Sequence, residues 1–395
     1  MGTPFVGTAG PIRTSARLAE ILGVDLGLLE DVSTRPAEIN YRRKVAHSKL
    51  DGSERVVFSP SKDVRLIQRR LVNRLLKKPA VIAWPPFLFG GIPNAALRPG
   101  DTPRDYVSCA AQHSRARSAL KMDVRNFFDN VHSDIVEDIF RGLLRWAREP
   151  AALATRLCTN RDSLPQGGIT SSYLALLCLF RDEGKVVRAL ERKGLIYTRY
   201  VDDITISSMR VDQEFEFAKA LVEQMLLKRG LFLNSSKIHL QKAGTSPLEV
   251  HNLRVGCGPP RLPQREIKRI KQACRQTELD AGESGRRSHS YRGRYHRAVG
   301  LVNKLARVGN HQHRPLMARL AKIRPLPSQQ DYKLAIDIAH DLRARYEDRS
   351  DSYWYRRRFH TLMERLNLIA LDNPSWARNL RVYMKAHYAP PKKDE

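Results

Sequence analysis

The sequence predicts an α+β fold in which an antiparallel sheet is backed by helices and followed by a basic helical region. Three observations support this prediction. Residues 120–124 form a short apolar run that leads into a turn, and residues 195–200 and 204–207 have the pattern of two hairpin strands. Apolar residues recur every three or four positions over residues 62–77, which is typical of a helix. Beyond residue 257 the composition becomes basic and helical.

The charge balance and the cysteine content limit the possible functions. The chain has 395 residues with 69 Lys and Arg against 41 Asp and Glu, a formal net charge of +28. This excess predicts a polyanionic partner, because basic side chains bind phosphate backbones by releasing condensed counterions. No run approaches the roughly 18 apolar residues needed to span a bilayer, so we expect a cytoplasmic protein with no membrane partner. The five cysteines never have C-x-x-C spacing, so we expect buried thiols rather than a zinc site.

A basic hairpin is predicted ahead of the sheet. Residues 1–40 read as a helical or mixed leader. The basic residues 42–44, a turn at Asp51-Gly52 and the apolar run 56–58 then follow the pattern of two strands and their connection.

Acidic residues mark the ends of the predicted strands. Asp123 ends the first strand, and Asp202 with Asp203 forms the tip of the later hairpin. Strand ends can bring the three together, and their repulsion then requires divalent cations, as in a two-metal phosphoryl-transfer site. We therefore predict that Asp123, Asp202 and Asp203 are catalytic and bind two Mg²⁺ ions. The alternative is that Asp202-Asp203 is only a polar hairpin turn.

Three motifs surround these carboxylates. Residues 121–128 read Lys-Met-Asp-Val-Arg-Asn-Phe-Phe, residues 164–171 read Leu-Pro-Gln-Gly-Gly-Ile-Thr-Ser, and residues 200–203 read Tyr-Val-Asp-Asp. In this order they resemble the first catalytic strand, the L-P-Q-G-x-x-T-S segment and the Y-x-D-D box of reverse transcriptases, particularly the bacterial retron-type group. The resemblance implies a right-hand polymerase fold with fingers, a palm and a helical thumb.

The resemblance also implies residues that bind the nucleotide. Phe128 matches the steric gate that excludes a ribonucleotide 2′-hydroxyl; the alternative is a core aromatic. Of the two neighbouring rings, Phe127 is the one that we expect in the core. Gln166 and Gly167 match the segment that supports the templating base and the incoming nucleotide. A glycine there lets the backbone approach a base or sugar closely; the alternative is an ordinary loop before a helix.

Basic residues are implied at the triphosphate and at the primer. Lys237 matches the lysine that donates a proton or positive charge to the departing pyrophosphate, unless it is simply solvated. Arg55 matches the fingers arginine that contacts the triphosphate, with Lys44 or Lys49 in support, and the alternative is a solvated basic hairpin. The primer grip, which holds the primer terminus in the family, is matched by Leu253, Arg254, Val255 and Gly256.

The same resemblance implies three regions and several partners. Residues 1–117 would form the leader and fingers and residues 118–256 the palm, with part of the fingers inserted near 140–165. Residues 257–395 would form a basic helical thumb with a C-terminal extension. The implied partners are a structured RNA template, the DNA/RNA hybrid product, dNTPs and an effector protein.

The resemblance implies an RNA-directed DNA polymerase that makes cDNA from a dedicated structured non-coding RNA. By resemblance it would serve in bacterial antiphage defence. The alternatives are a defence reverse transcriptase with protein-primed or untemplated synthesis, and a non-catalytic RNA-binding scaffold. The sequence departs from the retron pattern at Arg98, where an N-A-x-x-H element has histidine, and at residues 250–252, which read Val-His-Asn in place of V-T-G.

Overall fold

The computed structural model describes residues 10–47, 54–244, 247–256, 258–283 and 285–391. The chain divides into two compact units, Met1–Arg261 and Leu262–Glu395. The expected turn at Asp51-Gly52, together with Lys49 and Cys257, lies outside the described residues. The residue bounds predicted for the leader and fingers, the palm and the thumb stay predictions.

The first unit begins with short helices and a hairpin. The helices are α1 (Ser15–Leu22), α2 (Leu26–Thr34) and α3 (Ala37–Asn40). The strands β1 (Tyr41–His47) and β2 (Glu54–Pro60) are antiparallel partners, as the sequence predicted. Helix α4 (Lys62–Leu71) begins after Ser61, whose side chain caps it, and continues as a π-helical turn over Val72–Leu76. Its predicted apolar stripe is buried at Val64, Ile67, Leu71 and Leu75.

A five-stranded sheet follows. Its strands are β3 (Leu88–Phe89), β4 (Ser118–Asp123), β5 (Ile196–Tyr200), β6 (Asp203–Ser208) and β7 (His239–Lys242). The spatial order is β3-β5-β6-β4-β7, and only the β3–β5 pairing is parallel. Most residues of β4, β5 and β6 are buried whichever face they project from, so the sheet is covered on both faces. A short separate hairpin consists of β8 (Glu249–Val250) and β9 (Leu253–Arg254).

Helices cover this sheet and share its apolar core. They are α5 (Tyr106–Ala111), α6 (Phe127–Asn130), α7 (Ser133–Asp138), α8 (Arg148–Cys158), α9 (Ser171–Leu177), α10 (Glu183–Glu191) and α11 (Glu216–Leu227). Shorter helical turns cover Asn94–Ala96, Ile139–Leu143 and Ser235–Lys237. The cysteines that the structure describes, Cys109, Cys158, Cys178 and Cys274, are buried free thiols, as expected.

The second unit is built from helices. They are α12 (Gln264–Glu283), α13 (His289–Arg307), α14 (His313–Lys322), α15 (Gln329–Ala344), α16 (Tyr346–Arg349), α17 (Tyr353–Ile369) and α18 (Pro374–His387). The buried Asp331 accepts hydrogen bonds from Arg292 and Arg365. Burial alone would raise the pKa of Asp331, but bonds from Arg292 and Ser328 lower it to about 2. Within the described part of the chain, no helix is both long and apolar enough to cross a membrane.

A buried ion pair connects the sheet to the helices behind it. The guanidinium of Arg199 on β5 donates to both oxygens of Glu183 on α10, at 2.5 and 2.7 Å, and both side chains are fully buried. The Tyr197 hydroxyl donates to the same carboxylate at 2.8 Å. Arg199 also donates to the backbone carbonyls of Leu176 and Val201. Every group in this network therefore has a partner, which a buried charge requires.

We predict that Glu183→Gln lowers the free energy of unfolding by roughly 3–5 kcal/mol, because the charge of Arg199 would remain buried without its counter-charge. Chemical denaturation followed by circular dichroism measures this loss. The matched control is Glu38→Gln, since the Glu38–Arg161 pair is 69 % and 77 % exposed and should contribute less than about 1 kcal/mol. Equal losses in the two variants would contradict the prediction.

Candidate active site

Three carboxylates meet at one end of the central strands. Asp123 is the last residue of β4 and Asp203 the first of β6, and the two are direct partners in the antiparallel register. Cross-strand partners project to the same face, so these side chains are neighbours. Asp202 lies in the turn between β5 and β6, and its carbonyl accepts a hydrogen bond from the N–H of Val124 at 3.1 Å. The structure therefore brings the three predicted acidic residues together.

The turn that carries Asp202 has a strained backbone. Val201 has a φ of +59°, a left-handed conformation that β-branched residues rarely adopt. Its N–H donates to the carbonyl of Phe89 at 3.1 Å, and its own carbonyl accepts from Arg199 at 3.0 Å. Gly90 packs against the same turn, where a Cβ would lie 2.8 Å from Val201 Cγ2. The surrounding strands thus hold the turn in a conformation that it would not adopt alone.

Negative charge is concentrated at these carboxylates. The pKa of Asp203 is raised to about 6, first by burial and then by the charges of Asp202 and Asp123. Burial and the charge of Asp123 also raise the pKa of Asp202. The Asp203 side chain is still 52 % exposed, so water screens part of this repulsion. Lys237 Nζ donates to both carboxylate oxygens of Asp123, each at 3.1 Å, and partly neutralises the cluster.

The donor chemistry of the cluster fits divalent cations. Carboxylate oxygens are the ligands that Mg²⁺ prefers, and unrelieved repulsion among them favours a bound cation. Among the residues that the structure describes, no three His, Cys, Asp or Glu side chains are already arranged to hold one metal ion. Asp123 is instead paired with Lys237. A crowded set of carboxylates on a rigid sheet is suited to an enzyme that transfers phosphoryl or nucleotidyl groups.

Phe128 lies on the short helix α6, a few residues after Asp123. The chain turns at Asn126, whose φ is +44°, and enters the short helix α6. Phe127 is buried in the core, whereas Phe128 is half-buried, and their rings lie 5.9 Å apart. The expectation that Phe127 is the core residue of the two is therefore confirmed, and Phe128 keeps an accessible face.

The segment containing Gln166 and Gly167 contacts the β1–β2 hairpin. The N–H of Phe58 donates to the carbonyl of Gln166 at 2.7 Å. Gly167 has a φ of +112°, and a Cβ there would lie 2.4 Å from the carbonyl oxygen of Phe58. Glycine is required at this position by a contact within the chain, a reason that the sequence did not reveal. The side chain of Gln68 on α4 supports the same segment by accepting from the N–H of Ile169 at 2.8 Å.

Arg55 is an exposed residue of β2 on a face shared with Lys44. Arg55 is paired with Ala46 and Lys44 with Val57, and alternate residues of paired strands project to the same side. The positive charge of Arg55 opposes the rise in the pKa of Asp202, so its side chain lies within electrostatic reach of the carboxylates. The hairpin thus presents two cations on one face.

The predicted primer-grip residues belong to the β8–β9 hairpin and the segment after it. Leu253 and Val255 are buried, whereas Arg254 is exposed. Gly256 has a φ of +93°, and a Cβ there would lie 2.7 Å from the carbonyl oxygen of Ala116. The buried residues anchor the hairpin to the first unit and leave the arginine accessible.

His251, at the tip of this hairpin, was not predicted as a site residue. Its Nδ1 lies 4.0 Å from Asp203 Oδ2, and its ring centroid lies 4.7 Å from that of Tyr200. Burial lowers the pKa of His251 to about 4, so the ring is neutral near pH 7. Its only signal in the sequence was the departure from V-T-G at residues 250–252.

The chain resembles a known protein family and several known proteins. The model of the family described as reverse transcriptase (RNA-dependent DNA polymerase) matches residues 47–268. The chain is 37 % identical over 360 residues to the Retron Ec48 reverse transcriptase of Escherichia coli, covering 90 % of this chain and 87 % of that protein. It is 30 % identical over 338 residues to the Retron Se72 reverse transcriptase of Salmonella heidelberg, covering 84 % of each. The structure of apo telomerase from Candida tropicalis matches with a TM-score of 0.45 and 10 % identity, covering 97 % of this chain and 67 % of that one.

The chain therefore belongs to the reverse transcriptase family and, within it, to the retron-type enzymes. It is an RNA-directed DNA polymerase, so the predicted enzyme class is confirmed. The predicted fold class, α+β with the right-hand polymerase architecture, is confirmed as well. Enzymes of this family use divalent metal ions, and an RNA-directed enzyme takes an RNA template.

We predict that Asp203→Asn makes the metal-free protein more stable than the wild type at pH 8. The pKa of Asp203 is about 6 in the folded state and ordinarily 3.8. At pH values above 6 the charged carboxylate therefore lowers the stability of the folded state. This cost disappears as the pH falls from 6 towards 4, because the folded state then holds the proton. Thermal unfolding in EDTA between pH 4 and 8 measures the difference. A difference that does not change with pH, or a variant that is less stable at pH 8, would contradict the prediction.

Proposed function

We propose that this reverse transcriptase makes cDNA from a dedicated structured RNA by nucleotidyl transfer that depends on two Mg²⁺ ions at Asp123, Asp202 and Asp203. The observation that carries this proposal is the direct pairing of Asp123 with Asp203 beside the Asp202 turn. The relatives are retron reverse transcriptases, which supports a dedicated retron RNA as the template. The proposal includes a role in antiphage defence, with an effector protein and in the cytoplasm. The retron-type match favours templated synthesis over untemplated extension.

The side chains around the carboxylates would act on the nucleotide and the primer. Magnesium bound at the carboxylates would lower the pKa of the primer 3′-hydroxyl and hold the leaving pyrophosphate. Lys237 stands beside Asp123, so its ammonium group can supply charge or a proton to the same pyrophosphate. Arg55 and Lys44 would contact the triphosphate from the hairpin. Gln166 and Gly167, fixed against that hairpin, would support the base pair that forms.

An arginine pocket next to the β8–β9 hairpin would hold the nucleic-acid backbone. Arg117, Arg254 and Arg261 line a cavity of about 610 Å³. All three are exposed. Guanidinium groups bind phosphates in bidentate fashion, so a cavity lined by three of them fits a phosphodiester backbone.

We predict that Asp123→Asn and Asp202→Asn each reduce DNA synthesis by roughly 100- to 1,000-fold or more, because each removes charge that would bind the catalytic cations. Primer extension with Mg²⁺, an RNA template and four dNTPs measures this. Asp129→Asn is the matched control, since Asp129 is an exposed carboxylate on α6, and it should retain activity. DNA synthesis at the wild-type rate by either site variant would refute the proposed roles.

We predict that Phe128→Val raises incorporation of ribonucleotides relative to deoxynucleotides by roughly tenfold or more. A smaller side chain leaves room for the 2′-hydroxyl, and one such steric contact accounts for selectivity of this size. Single-nucleotide extension with dNTP and rNTP in parallel measures the ratio of kcat/KM values. If the variant loses both activities in proportion, Phe128 supports the fold and is not a gate.

We predict that Arg254→Gln with Arg261→Gln makes duplex binding less dependent on salt. The slope of log K against log salt concentration should decrease by about 0.9 for each phosphate contact that is lost. Fluorescence anisotropy with a labelled RNA/DNA hybrid at several salt concentrations measures this slope. Arg188→Gln, on exposed α10 surface outside the pocket, is the control and should leave the slope unchanged. An unchanged slope in the double variant would exclude the arginine pocket from binding.

A further inference from the structure

The tip of the β8–β9 hairpin has an unusual backbone. His251 and Asn252 have φ values of +48° and +60°, the left-handed pair of a two-residue turn between strands. Asparagine and histidine both adopt this conformation more often than most residues other than glycine. What distinguishes this turn is the set of contacts that the His251 side chain makes.

The His251 ring contacts both residues that flank the turn of the carboxylate hairpin. Tyr200 and Asp203 are cross-strand partners, and between them lie Val201 and Asp202. The ring packs on Tyr200 with a centroid distance of 4.7 Å, and its Nδ1 lies 4.0 Å from Asp203 Oδ2. A single side chain of the β8–β9 hairpin therefore lies against the last residue of β5 and the first residue of β6.

The other edge of the ring is fixed by a side-chain network beneath the sheet. His251 Nε2 lies 3.2 Å from Cys109 Sγ on α5, and that thiol donates to Thr198 Oγ1 at 3.4 Å. Thr198 Oγ1 lies 2.8 Å from His113 Nε2, and His113 Nδ1 lies 2.7 Å from Ser207 Oγ. Since Thr198 is on β5 and Ser207 on β6, the network connects His251 to both strands that lead to the carboxylates.

We propose that His251 is a positioning residue for DNA synthesis, holding Asp203 and Tyr200 in fixed places relative to the β8–β9 hairpin. This inference rests on the proposed function, in which that hairpin holds the primer and Asp203 helps to hold the cations. His251 would set the distance between the primer end and the carboxylates. Residues that orient a carboxylate from behind affect both metal affinity and rate.

The first test is His251→Asn, because asparagine suits the left-handed backbone and the variant should fold. We expect kcat for primer extension to fall roughly 10- to 100-fold, while KM for dNTP stays within about twofold. The Mg²⁺ concentration that gives half of the metal-induced rise in melting temperature should increase roughly tenfold. His239→Asn, an exposed histidine on β7, is the matched control and should match the wild type in all three quantities.

The second variant, His251→Phe, tests the contribution of the ring separately from that of the backbone conformation of the turn. Phenylalanine restores the ring against Tyr200 but suits the left-handed conformation poorly. The proposal expects a kcat above that of His251→Asn. A kcat at or below that of the asparagine variant, or wild-type kcat and Mg²⁺ dependence in His251→Asn, would overturn it. An inactive wild-type protein would instead count against the proposed function, so the two failures are distinguishable.

Discussion

The buried ion pair between Arg199 and Glu183 is the constraint on which the candidate site depends. A guanidinium without its counter-charge is unfavourable inside the core, so β5 cannot slide along the sheet without separating this pair. The same guanidinium donates to the carbonyls of Val201 and Leu176, and so fixes both the acidic turn and the end of α9. A one-residue slip would also move every side chain of β5 to the opposite face. The register that places the carboxylates side by side is thereby fixed from behind the sheet.

The parts of the fold with a local signal could be predicted from the sequence, and the parts that depend on distant partners could not. The strands around Asp123 and the acidic hairpin are short runs of strand-forming residues bounded by turns, and α4 has its own apolar period of three to four. The contact of Gly167 with Phe58 and the pairing of Arg199 with Glu183 join residues that share no pattern in the chain. Such contacts become visible only once the chain has folded.

The glycine of the Leu-Pro-Gln-Gly segment illustrates how a structural requirement and a functional one can coincide. We expected Gly167 to allow a base or sugar to approach, and its backbone instead approaches that of Phe58 in the basic hairpin. These two roles are compatible, because a segment that is hydrogen-bonded to the hairpin keeps a fixed position relative to Arg55. The nucleotide's base and its phosphates would then be bound by one connected piece of the protein.

Opposite charges must coexist in this protein without neutralising each other. The chain carries a net charge of +28, which attracts a polyanion, yet its carboxylates at the strand ends would repel the same phosphates. On a flexible loop these carboxylates could turn towards the many nearby cations. In the turn and at the ends of paired strands they have less freedom to do so. Burial and mutual repulsion therefore still raise the pKa values of Asp202 and Asp203, while Lys237 pairs with Asp123. Divalent cations would relieve that repulsion and, in doing so, convert an acidic edge into one that phosphates can approach.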